Sequence, residues 1–336
     1  MKPVKIAING FGRIGRSFFR VAYNMPEFDI VAVNDLADTK TLSYLLKYDS
    51  VYGRYEKNIE AVDGRLVVNG HHIEVFAQKD PKDLPWGKMG VDIVVESSGF
   101  FTSSEKAMTH VGAGAKKVVI TAPAEGDVVT ALVGVNDNRF KTDNPITCNA
   151  SCTTNSVAPV MYILEENFGI KKSTMTTVHG YTATQKLVDG PDAKDVRRGR
   201  AAAVNIVPSS TGAAEAVIKS IPSLAGKFDA ESIRVPIITG SLSIVSAILE
   251  KEVTKEEINN IFKKEAENPK WSRILKTTED PIVSTDIIGE PYGAIVDLSL
   301  TKVVNGDLAK VFSWYDNEAG YTATLIEHVR RVASNL

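Results

Sequence analysis

Cys152 stands where a thiol could act as a nucleophile, at the start of a predicted helix within the segment ASCTTN, residues 150–155. The positive end of the helix dipole stabilises a thiolate at such a position. A cationic imidazole nearby would lower the thiol pKa further. His179 is the candidate for it, because it follows the predicted strand Ser173–Val178. Together these residue types predict nucleophilic catalysis by sulfur, with a histidine to move protons.

The chain has two cysteines, Cys148 and Cys152. They cannot form the disulfide framework of a small secreted protein, and a zinc site with four cysteine ligands is excluded. A buried, inert thiol is the alternative for each, and it is favoured for Cys148. Structural roles, and no metal site, are expected for the remaining histidines, which are His71, His72, His110 and His328.

A glycine motif opens the chain. Residues 10–15 read GFGRIG, the GxGxxG pattern of dinucleotide-binding folds, between the apolar strand pattern Val4–Asn9 and an amphipathic helical pattern. In such a turn Gly10 permits the tight bend, Gly12 lets a pyrophosphate approach the backbone, and Gly15 lets the helix pack on the strand. The phosphates then lie at the helix N terminus, where N–H groups and the dipole favour anions.

Asp35 follows the motif by roughly 20 residues, after the second strand pattern, Ile30–Val33. A carboxylate there accepts hydrogen bonds from ribose hydroxyls and would repel a 2′-phosphate, which predicts NAD rather than NADP as the cofactor. The alternative is a glycine-rich turn with an aspartate that caps a loop. The agreement of strand, spacing and helix favours the cofactor site.

Short apolar runs alternate with helical patterns through the first third of the chain. Further strand candidates are Val91–Val95 and Val118–Ile120, and a helix-length segment, Ser104–Ala113, lies between them. This alternation predicts βαβ units with right-handed crossovers, and hence a doubly wound, mostly parallel α/β sheet with helices on both faces.

The pattern changes near residue 150. A long helix is predicted over Thr153–Phe168, interrupted early by Pro159, and strands then outnumber helices. Such an order predicts a second domain of the α+β class with a mainly antiparallel sheet. The remaining predicted strands are Ile233–Ile238, Leu242–Leu249, Ile295–Leu300 and Ala309–Trp314, and the remaining predicted helices are Gly212–Ser220, Lys255–Glu267 and Glu318–Val332.

Residues 189–200 (DGPDAKDVRRGR) form the clearest long loop, with Gly-Pro and aspartate turn chemistry and a basic cluster. A loop of this length inside a compact domain is usually functional or mobile. A solvated loop face is the alternative to a binding role for its arginines.

Length and composition exclude several classes of protein. The chain has 336 residues, which at roughly 150 per domain predicts two domains. Its net charge of −2 and its 43% hydrophobic residues disfavour disorder and give no reason to expect a nucleic acid or an anionic membrane as partner. The N terminus lacks the apolar run of a signal peptide. With so few cysteines, a reducing, cytosolic compartment is expected.

Six separated motifs carry a family resemblance. They are GFGRIGR (10–16), ASCTTN (150–155), TVHGYTATQKLVDGP (177–191), NIVPSSTGAA (205–214), RVP (234–236) and SWYDNEAGY (313–321). In this order they resemble the phosphorylating glyceraldehyde-3-phosphate dehydrogenases, and the resemblance runs from end to end. It implies an NAD-binding Rossmann domain over residues 1–151, a catalytic domain over residues 152–315, and a C-terminal helix, 316–336, that completes the first domain.

The resemblance also implies an activity. This is the oxidation of D-glyceraldehyde 3-phosphate with NAD and inorganic phosphate to 1,3-bisphosphoglycerate, in glycolysis or gluconeogenesis, by a cytoplasmic homotetramer. Cys152 would attack the aldehyde to give a hemithioacetal, and His179 would take the hydroxyl proton as hydride leaves for the nicotinamide. Phosphate would then attack the resulting thioester. Neither a membrane nor a nucleic acid is expected as a partner.

Binding residues follow from the resemblance by motif position. Those implied for the substrate phosphate are Thr182, Thr184 and Arg234. Those implied for inorganic phosphate are Ser151, Thr153, Thr211 and Gly212. One of Arg197, Arg198 and Arg200 would assist, and Arg198 is favoured. Those implied for the cofactor are Gly10, Gly12, Arg13, Ile14, Gly15, Asp35, Lys79, Thr121 and Asn317, the last at the nicotinamide carboxamide.

The sequence departs from the family pattern in three places. Ser156 stands where a second cysteine is common, so no disulfide with the nucleophile can form there. Ala319 stands where an aromatic residue is frequent, which could loosen packing near the nicotinamide. The loop sequence VRRGRAAA resembles NADP-using photosynthetic relatives, whereas Asp35 with Leu36, and Pro191, resemble NAD-selective members. We weigh the latter residues more heavily.

Three alternatives remain at this point: an erythrose-4-phosphate dehydrogenase, an NADP-using glyceraldehyde-3-phosphate dehydrogenase, and a non-catalytic scaffold or nucleic-acid binder. The segment 177–191 favours the triose enzyme over the erythrose enzyme. The near-neutral charge gives the binding module no support. The presence of both Cys152 and His179 favours catalysis.

Overall fold

The structure of this chain is a computed structural model that describes residues 2–193, 195–271 and 273–336. The chain divides into two compact units. The first comprises the chain up to Ala131, Asp137–Ala150 and Leu325–Leu336, and the second comprises Leu132–Asn136 and Ser151–Thr324. The domains expected from the sequence, residues 1–151 completed by 316–336 and residues 152–315, stay predictions.

The first unit is built on a mostly parallel sheet. Its strands are β1 (Val4–Asn9), β2 (Phe28–Asn34), β3 (Ile59–Val62), β4 (Arg65–Val68), β5 (His71–Phe76), β6 (Ile93–Glu96), β7 (Lys117–Ile120), β8 (Val129–Thr130) and β9 (Ile146–Cys148). They lie in the order β3-β4-β5-β2-β1-β6-β7-β9-β8. The two pairings of β4 are antiparallel and the others are parallel. The doubly wound α/β class predicted from the alternating patterns is confirmed.

The helices of this unit begin in two ways. They are α1 (Arg13–Ala22), α2 (Thr39–Lys47), α3 (Trp86–Met89) and α4 (Ser104–Gly112). The side chains of Asp38 and Ser103 cap α2 and α4 by accepting hydrogen bonds from backbone N–H groups of their first turns. At α1 the capping position is Gly12, which has no side chain to do this. The backbone N–H groups at the start of α1 therefore receive no side-chain cap from this position and face the space in front of the helix.

The strand register gathers polar residues at the carboxyl edge of this sheet. Asn9, the last residue of β1, pairs with Asn34 on β2 and with Glu96 on β6. All three side chains are buried, above apolar neighbours such as Ile8 and Val95. Ligands of open α/β sheets bind outside the carboxyl ends of the strands, so this edge is where a ligand is expected.

The second unit contains a mixed sheet. Its strands are β10 (Ile170–Gly180), β11 (Val207–Ser210), β12 (Phe228–Val235), β13 (Ser241–Leu249), β14 (Leu275–Thr278), β15 (Ala294–Asp297), β16 (Lys302–Val304) and β17 (Leu308–Tyr315). The order is β11-β12-β10-β13-β17-β15-β14, with β16 beside β17. The pairings β10–β12 and β14–β15 are parallel, and the others are antiparallel, as predicted for most of this sheet.

The later helices are α5 (Cys152–Phe168), α6 (Ala213–Ser220), α7 (Lys255–Glu267) and α8 (Ala319–Ala333). α7 starts at a capping box, in which Thr254 and Glu257 each accept from the other's backbone N–H. Among the described residues, no helix has both the length and the apolar character needed to cross a membrane.

The predicted interruption of the long helix at Pro159 is wrong. α5 runs from Cys152 to Phe168 with Pro159 inside it. Proline in a helix interior removes one backbone hydrogen bond. Nearly every residue around it is buried, Val157 and Val160 among them, and packing of this kind outweighs local propensity.

Other elements differ from the patterns at their ends. The strand predicted over Ile233–Ile238 is displaced, because β12 ends before Pro236, which has no N–H for a sheet. The short strands β3, β4 and β5 were not predicted, since their exposed faces give little apolar signal. The loop 189–200 contains a short 3-10 turn at Val196–Gly199, and its residue 194 lies outside the described residues.

Candidate active site

Cys152 is the first residue of α5, and its side chain is half-buried. Ser151 caps this helix, because its Oγ accepts a hydrogen bond from the backbone N–H of Thr154 at 3.1 Å. The preceding residue, Ala150, has φ of 52°, in the left-handed region that a residue with a Cβ rarely adopts. A sharp turn thus sets the thiol at the positive end of the helix dipole, where the sequence predicts it.

His179 lies beside this thiol. It is the penultimate residue of β10, it is 2% exposed, and its Nε2 lies 3.4 Å from Cys152 Sγ. Its Nδ1 lies 2.6 Å from the Gly180 carbonyl oxygen and 2.6 Å from Arg234 Nη1. The parallel pairing of β10 with β12 sets His179 directly opposite Arg234. The structure therefore brings three predicted site residues into one cluster.

Burial and Arg234 control the charges of this cluster. Removal from water raises the pKa of the Cys152 thiol, against the opposing effects of the Arg234 charge and of hydrogen bonds with Thr153. Burial, followed by repulsion from Arg234, lowers the pKa of His179 to about 3. Burial and Arg234 thus oppose the cationic imidazole expected from the sequence, which stays a prediction, and the guanidinium is a second positive charge near the thiol.

Tyr315 ties the start of α5 to β10. Its hydroxyl lies 2.9 Å from Thr153 Oγ1 and 2.7 Å from Thr177 Oγ1, and all three residues are buried. Its ring packs edge-on against His179, with the centroids 5.8 Å apart. Sequence reasoning did not select Tyr315, although it lies within the motif SWYDNEAGY and the aromatic type could have drawn attention.

Asn317 is held by the turn that precedes β13. Its Oδ1 accepts hydrogen bonds from Thr239 Oγ1 at 3.1 Å, from the Gly240 backbone N–H at 3.1 Å, and from Ser241 Oγ at 3.3 Å. Ser241 lies opposite His179 in the antiparallel pairing of β10 with β13. With its oxygen engaged by three donors, what the Asn317 amide can offer a ligand is its NH₂ group.

The residues predicted for the substrate phosphate fall into two groups. Thr182 and Thr184 follow β10, and their hydroxyl oxygens lie 2.9 Å apart. Arg234 instead contacts His179 Nδ1 and also donates to the Gly180 carbonyl oxygen at 3.2 Å. The three residues thus lie at or beyond the carboxyl ends of the adjacent parallel strands β10 and β12.

The residues predicted for inorganic phosphate lie at helix starts. Ser151 caps α5, and Thr153 belongs to its first turn. Thr211 and Gly212 precede α6, where Thr211 Oγ1 accepts from the Ala213 backbone N–H at 3.2 Å. Backbone N–H groups and hydroxyls in such positions suit phosphate oxygens.

The three arginines of the loop have different partners. Arg197 forms an ion pair with Asp195 at 3.2 Å, and Arg200 forms one with Asp189 at 2.9 Å. Arg198 lies along β11, where its Nε donates to Ser209 Oγ at 2.9 Å and its Nη2 donates to the Ser210 carbonyl oxygen at 3.2 Å. Its charge also acts on Arg234 and helps to lower the pKa of that residue, after the larger effect of burial. Arg198 is thus close enough to act on Arg234, whereas Arg197 and Arg200 pair with loop aspartates.

The first unit holds a cavity of about 500 Å³ at the carboxyl edge of its sheet. A Cβ at Gly10 would lie 2.4 Å from Ser98 N, and one at Gly15 would lie 2.2 Å from the Gly10 oxygen, so neither site accepts a side chain. A Cβ at Gly12 would meet nothing within 4 Å, which leaves space before α1. A larger cavity, about 720 Å³, lies beside α7 and contains none of the predicted site residues.

Asp35 lines the 500 Å³ cavity together with Lys79. Its Oδ2 accepts from the Phe11 backbone N–H at 2.7 Å, and its Oδ1 accepts from the Ala37 backbone N–H at 3.0 Å. These two bonds fix the carboxylate, while each oxygen keeps a lone pair for a further donor.

The other predicted cofactor residues contact neighbouring elements of the first unit. Arg13 forms an ion pair with Asp49, and Ile14 is half-buried in α1. The Thr121 backbone N–H donates to the backbone carbonyl oxygen of Glu96 at 3.0 Å. These contacts give the positions of the three residues, and their roles towards a cofactor stay predictions.

A buried polar network, which sequence reasoning missed, underlies this cavity. Trp86 Nε1 donates to His110 Nδ1 at 3.1 Å, which leaves the ring proton on Nε2 to donate to Glu96 Oε2 at 3.0 Å. Glu96 Oε2 also accepts from Asn9 Nδ2 at 2.5 Å, and Asn34 Nδ2 donates to Asn9 Oδ1 at 2.7 Å. His110 and Glu96 are fully buried. Polar residues at the ends of adjacent apolar strands are the signal that could have revealed this network.

Comparison with known proteins gives full-length matches. The family model described as "Glyceraldehyde 3-phosphate dehydrogenase, NAD binding domain" matches residues 4–104, and the one described as "Glyceraldehyde 3-phosphate dehydrogenase, C-terminal domain" matches residues 151–317. The glyceraldehyde-3-phosphate dehydrogenase of Borreliella burgdorferi is 49% identical over 98% of this chain and 99% of its own. That of Clostridium acetobutylicum is 50% identical over 96% of both chains, and glyceraldehyde-3-phosphate dehydrogenase 1 of Bacillus subtilis is 48% identical over 98% of both.

Proposed function

This chain belongs to the glyceraldehyde-3-phosphate dehydrogenase family, and we propose that it catalyses the NAD-dependent oxidative phosphorylation of D-glyceraldehyde 3-phosphate to 1,3-bisphosphoglycerate. The observation that carries this proposal is the contact of 3.4 Å between Cys152 Sγ, at the start of α5, and His179 Nε2. The curated relatives bear the triose-phosphate name, which favours this reaction over oxidation of erythrose 4-phosphate.

Cys152 acts as the nucleophile of the first step. Its sulfur attacks the aldehyde carbon and the S–H bond breaks, so that the thiol proton ends on the former carbonyl oxygen and gives the hydroxyl of a hemithioacetal. The negative charge that develops on this oxygen is stabilised by the backbone N–H of Cys152 at the helix N terminus. His179 takes the hydroxyl proton of the hemithioacetal while the C–H bond of the hemithioacetal carbon breaks. Its Nε2 can do this because it lies 3.4 Å from the sulfur to which that carbon is attached. The product held by Cys152 is a thioester.

The thioester makes sulfur necessary for the second step. Inorganic phosphate attacks the thioester carbon, the C–S bond breaks, and the acyl phosphate leaves while Cys152 is regenerated. A serine would form an ordinary ester, which is a poorer acyl donor. The energy of the oxidation is therefore retained in the product only when the nucleophile is a thiol.

Two anion sites serve this chemistry in the second unit. Thr182, Thr184 and Arg234 bind the phosphate group of the substrate. Inorganic phosphate is bound by Ser151, Thr153, Thr211 and Gly212. Arg198 assists, because the ion pairs of Arg197 and Arg200 with loop aspartates engage the other two guanidinium groups. A guanidinium and hydroxyls together offer phosphate both charge and directed donors.

The chain carries an NAD-binding domain of this family, and its residues fit a dinucleotide. The space before Gly12 admits a pyrophosphate at the start of α1, and the fixed Asp35 carboxylate accepts ribose hydroxyls. When bound, the nicotinamide ring supplies the acceptor for the hydride. Asn317 would hold the carboxamide with its NH₂ group, because its oxygen already accepts from Thr239, Gly240 and Ser241. We assign NAD rather than NADP because the Asp35 charge would repel a 2′-phosphate.

The enzyme acts in the cytoplasm as a homotetramer in this proposal. The face of the second sheet turned away from the buried serines of β13 carries half-exposed apolar side chains at Leu242, Ile244, Phe312 and Trp314. Strand pairing places Leu242 beside Trp314 and Ile244 beside Phe312, so the patch is continuous. Continuous apolar patches of this kind mark subunit contacts.

Initial rates test the proposal. Reduction of NAD is measured with glyceraldehyde 3-phosphate and with erythrose 4-phosphate, with and without inorganic phosphate, and is repeated with NADP. We expect the highest kcat/KM with the triose phosphate and NAD, and steady turnover only when phosphate is present. Equal turnover without phosphate would contradict the thioester step, and a higher kcat/KM with NADP would overturn the cofactor assignment.

A further inference from the structure

The turn that precedes β13 decides how the Asn317 amide is oriented. Gly240 in this turn donates its backbone N–H to Asn317 Oδ1 at 3.1 Å, and a backbone N–H can only donate. The amide oxygen of Asn317, and not the nitrogen, therefore faces the turn. The hydroxyl oxygens of Thr239 and Ser241 lie 3.1 and 3.3 Å from the same atom. The orientation of the amide thus depends on the position of residues 239–241.

Asp316 holds this turn in place. Its side chain is fully buried, and its Oδ1 accepts a hydrogen bond from Thr239 Oγ1 at 3.2 Å, while its Oδ2 accepts from the Gly289 backbone N–H at 2.8 Å. Oδ1 also accepts from the backbone N–H groups of Glu318 and Ala319, each at 2.9 Å. One carboxylate therefore joins three segments of the second unit: the turn, the loop before β15 and the start of α8.

The hydroxyl of Thr239 is the link between Asp316 and the amide. It has a single proton and two acceptors in reach, Asp316 Oδ1 and Asn317 Oδ1. A carboxylate oxygen is the stronger acceptor, so the proton is directed to Asp316. The Asn317 oxygen then receives the Gly240 N–H and the Ser241 hydroxyl, which fill its two lone pairs. Asp316 positions the turn, and the turn positions the amide.

We propose that Asp316 is a positioning residue for the cofactor, because it holds residues 239–241 so that the Asn317 amide directs its NH₂ group at the nicotinamide carboxamide. The inference rests on the proposed function, which assigns that contact to Asn317. Gly12 and Asp35, assigned to the pyrophosphate and a ribose, belong to the first unit, whereas the contacts of Asp316 described above lie in the second. Asp316 therefore affects the binding of the nicotinamide part of NAD and leaves the binding of the remainder unchanged.

A ligand without the nicotinamide isolates this effect. ADP-ribose keeps the adenosine, the pyrophosphate and the second ribose of NAD. In Asp316→Asn an NH₂ group replaces one carboxylate oxygen and must face a backbone N–H donor, so the side chain can no longer hold both Gly289 and the start of α8. Titration calorimetry of the intact enzyme gives the Kd for each ligand. We expect the Kd for NAD to rise by about fivefold or more, as loss of one hydrogen bond predicts.

The Kd for ADP-ribose should change by less than about twofold in the same variant. A purely structural role of Asp316 would weaken the binding of both ligands to the same extent. Such an equal change, or an unchanged Kd for NAD, would overturn the inference.

A double-mutant cycle shows whether Asp316 acts through Asn317. Asn317→Ala removes the proposed contact with the carboxamide, and Asp316→Asn is then added to it. We expect the second substitution to raise the Kd for NAD no further, because the amide that Asp316 positions is absent. Effects of the two substitutions that multiply would mean that Asp316 acts independently of Asn317, and would overturn the inference.

Ser241→Ala provides a second variant in case Asp316→Asn does not fold. It removes one donor to Asn317 Oδ1, and we expect it to weaken the binding of NAD and not that of ADP-ribose. Asp286→Asn is the matched control, because Asp286 is an exposed aspartate whose carboxylate accepts from the Val283 backbone N–H in the loop before β15. It should bind both ligands as the wild type does. Unchanged NAD binding in Ser241→Ala, or equal weakening in Asp286→Asn, would contradict the role given to this network.

The outcomes separate this inference from the proposed function. If Asn317→Ala weakened NAD binding and Asp316→Asn did not, the inference alone would fail. If Asn317→Ala bound NAD as the wild type does, the proposed contact with the carboxamide would fail, and the inference with it. A wild-type enzyme that bound NAD but formed no NADH from glyceraldehyde 3-phosphate would contradict the proposed reaction alone, because the binding measurements do not depend on turnover.

Discussion

The ring of Tyr315 packs edge-on against the ring of His179, while the Tyr315 hydroxyl lies within hydrogen-bond distance of Thr153 and Thr177. One side chain thus links the first turn of α5, which carries Cys152, to β10, which carries His179. The contact of 3.4 Å between thiol and imidazole depends on the relative placement of these two elements. Tyr315 contributes to that placement through these contacts.

Tyr315→Phe is expected to weaken this link while keeping the ring. Loss of the hydroxyl leaves the buried hydroxyls of Thr153 and Thr177 without that partner, which costs about 1–3 kcal/mol of the free energy of unfolding. We also expect a lower kcat with an almost unchanged KM for the aldehyde. Urea unfolding and initial rates measure the two effects. Tyr44→Phe, at a residue 61% exposed, is the control and should change neither. Wild-type stability and kcat in Tyr315→Phe would contradict this account.

Cys152→Ser is expected to abolish phosphate-dependent NADH formation, with a loss on the order of a thousandfold or more, because the ester that serine could form is a poor acyl donor. NAD binding, measured by titration calorimetry, should remain largely intact. Cys148→Ser is the matched control, since Cys148 is a fully buried residue at the end of β9. Full activity of Cys152→Ser would refute the thioester mechanism.

The sequence predicted the residues of the site better than their charges. Cys152 at a helix start and His179 at a strand end follow from local patterns, and the structure places them in contact. Whether the imidazole carries a charge depends instead on burial and on Arg234, which lies 55 residues away along the chain. A pairing of strands β10 and β12 creates that contact, and no local pattern reports it.

The same limit explains the errors in the fold. Local patterns predicted the central strands of both sheets. A strand buried on one face has an apolar side chain at every second residue, and a strand buried on both faces is a continuous apolar run. Pro159 predicted a helix break on local grounds, and the burial of α5 overrides it. The Glu96–His110 network draws its residues from five separate elements of the first unit, so each of them looked unremarkable in the sequence.

Glu96→Gln is expected to weaken NAD binding. Its two carboxylate oxygens accept from Asn9 Nδ2 and from the Ser98 backbone N–H, and a glutamine must turn its NH₂ group towards one of these donors. This change displaces Asn9 and, through it, Asn34, and both asparagines line the 500 Å³ cavity. We therefore expect the Kd for NAD to rise about tenfold. The rate of Cys152 alkylation without cofactor should be unchanged.

Glu105→Gln is the matched control for this effect, because Glu105 is exposed on the same helix, α4, that carries His110. It should bind NAD as the wild type does. An unchanged Kd in Glu96→Gln, or equal weakening in both variants, would show that the network does not shape the cofactor site.

His328 should make the stability of the protein depend on pH. It is buried in the first unit, where its Nδ1 lies 3.1 Å from the Ala131 oxygen and its Nε2 lies 2.7 Å from Thr147 Oγ1. Burial lowers its pKa from 6.5 to about 3. The stabilisation is present in full above pH 6.5. As the pH falls from there towards 3, the unfolded chain binds the proton and the folded chain does not, so stability is lost at up to about 1.4 kcal/mol per pH unit for this one group.

His328→Gln tests this dependence, since a glutamine amide can donate to Ala131 and accept from Thr147 but does not titrate. Urea unfolding at several values between pH 7 and pH 4 gives the free energy of unfolding for each protein. The variant should lose less stability than the wild type as the pH falls, and the gap between their slopes isolates His328 from other titrating groups. His72→Gln, at an exposed residue, should follow the wild-type slope. Parallel slopes for wild type and His328→Gln would mean that His328 takes up its proton in the folded protein as readily as in the unfolded chain.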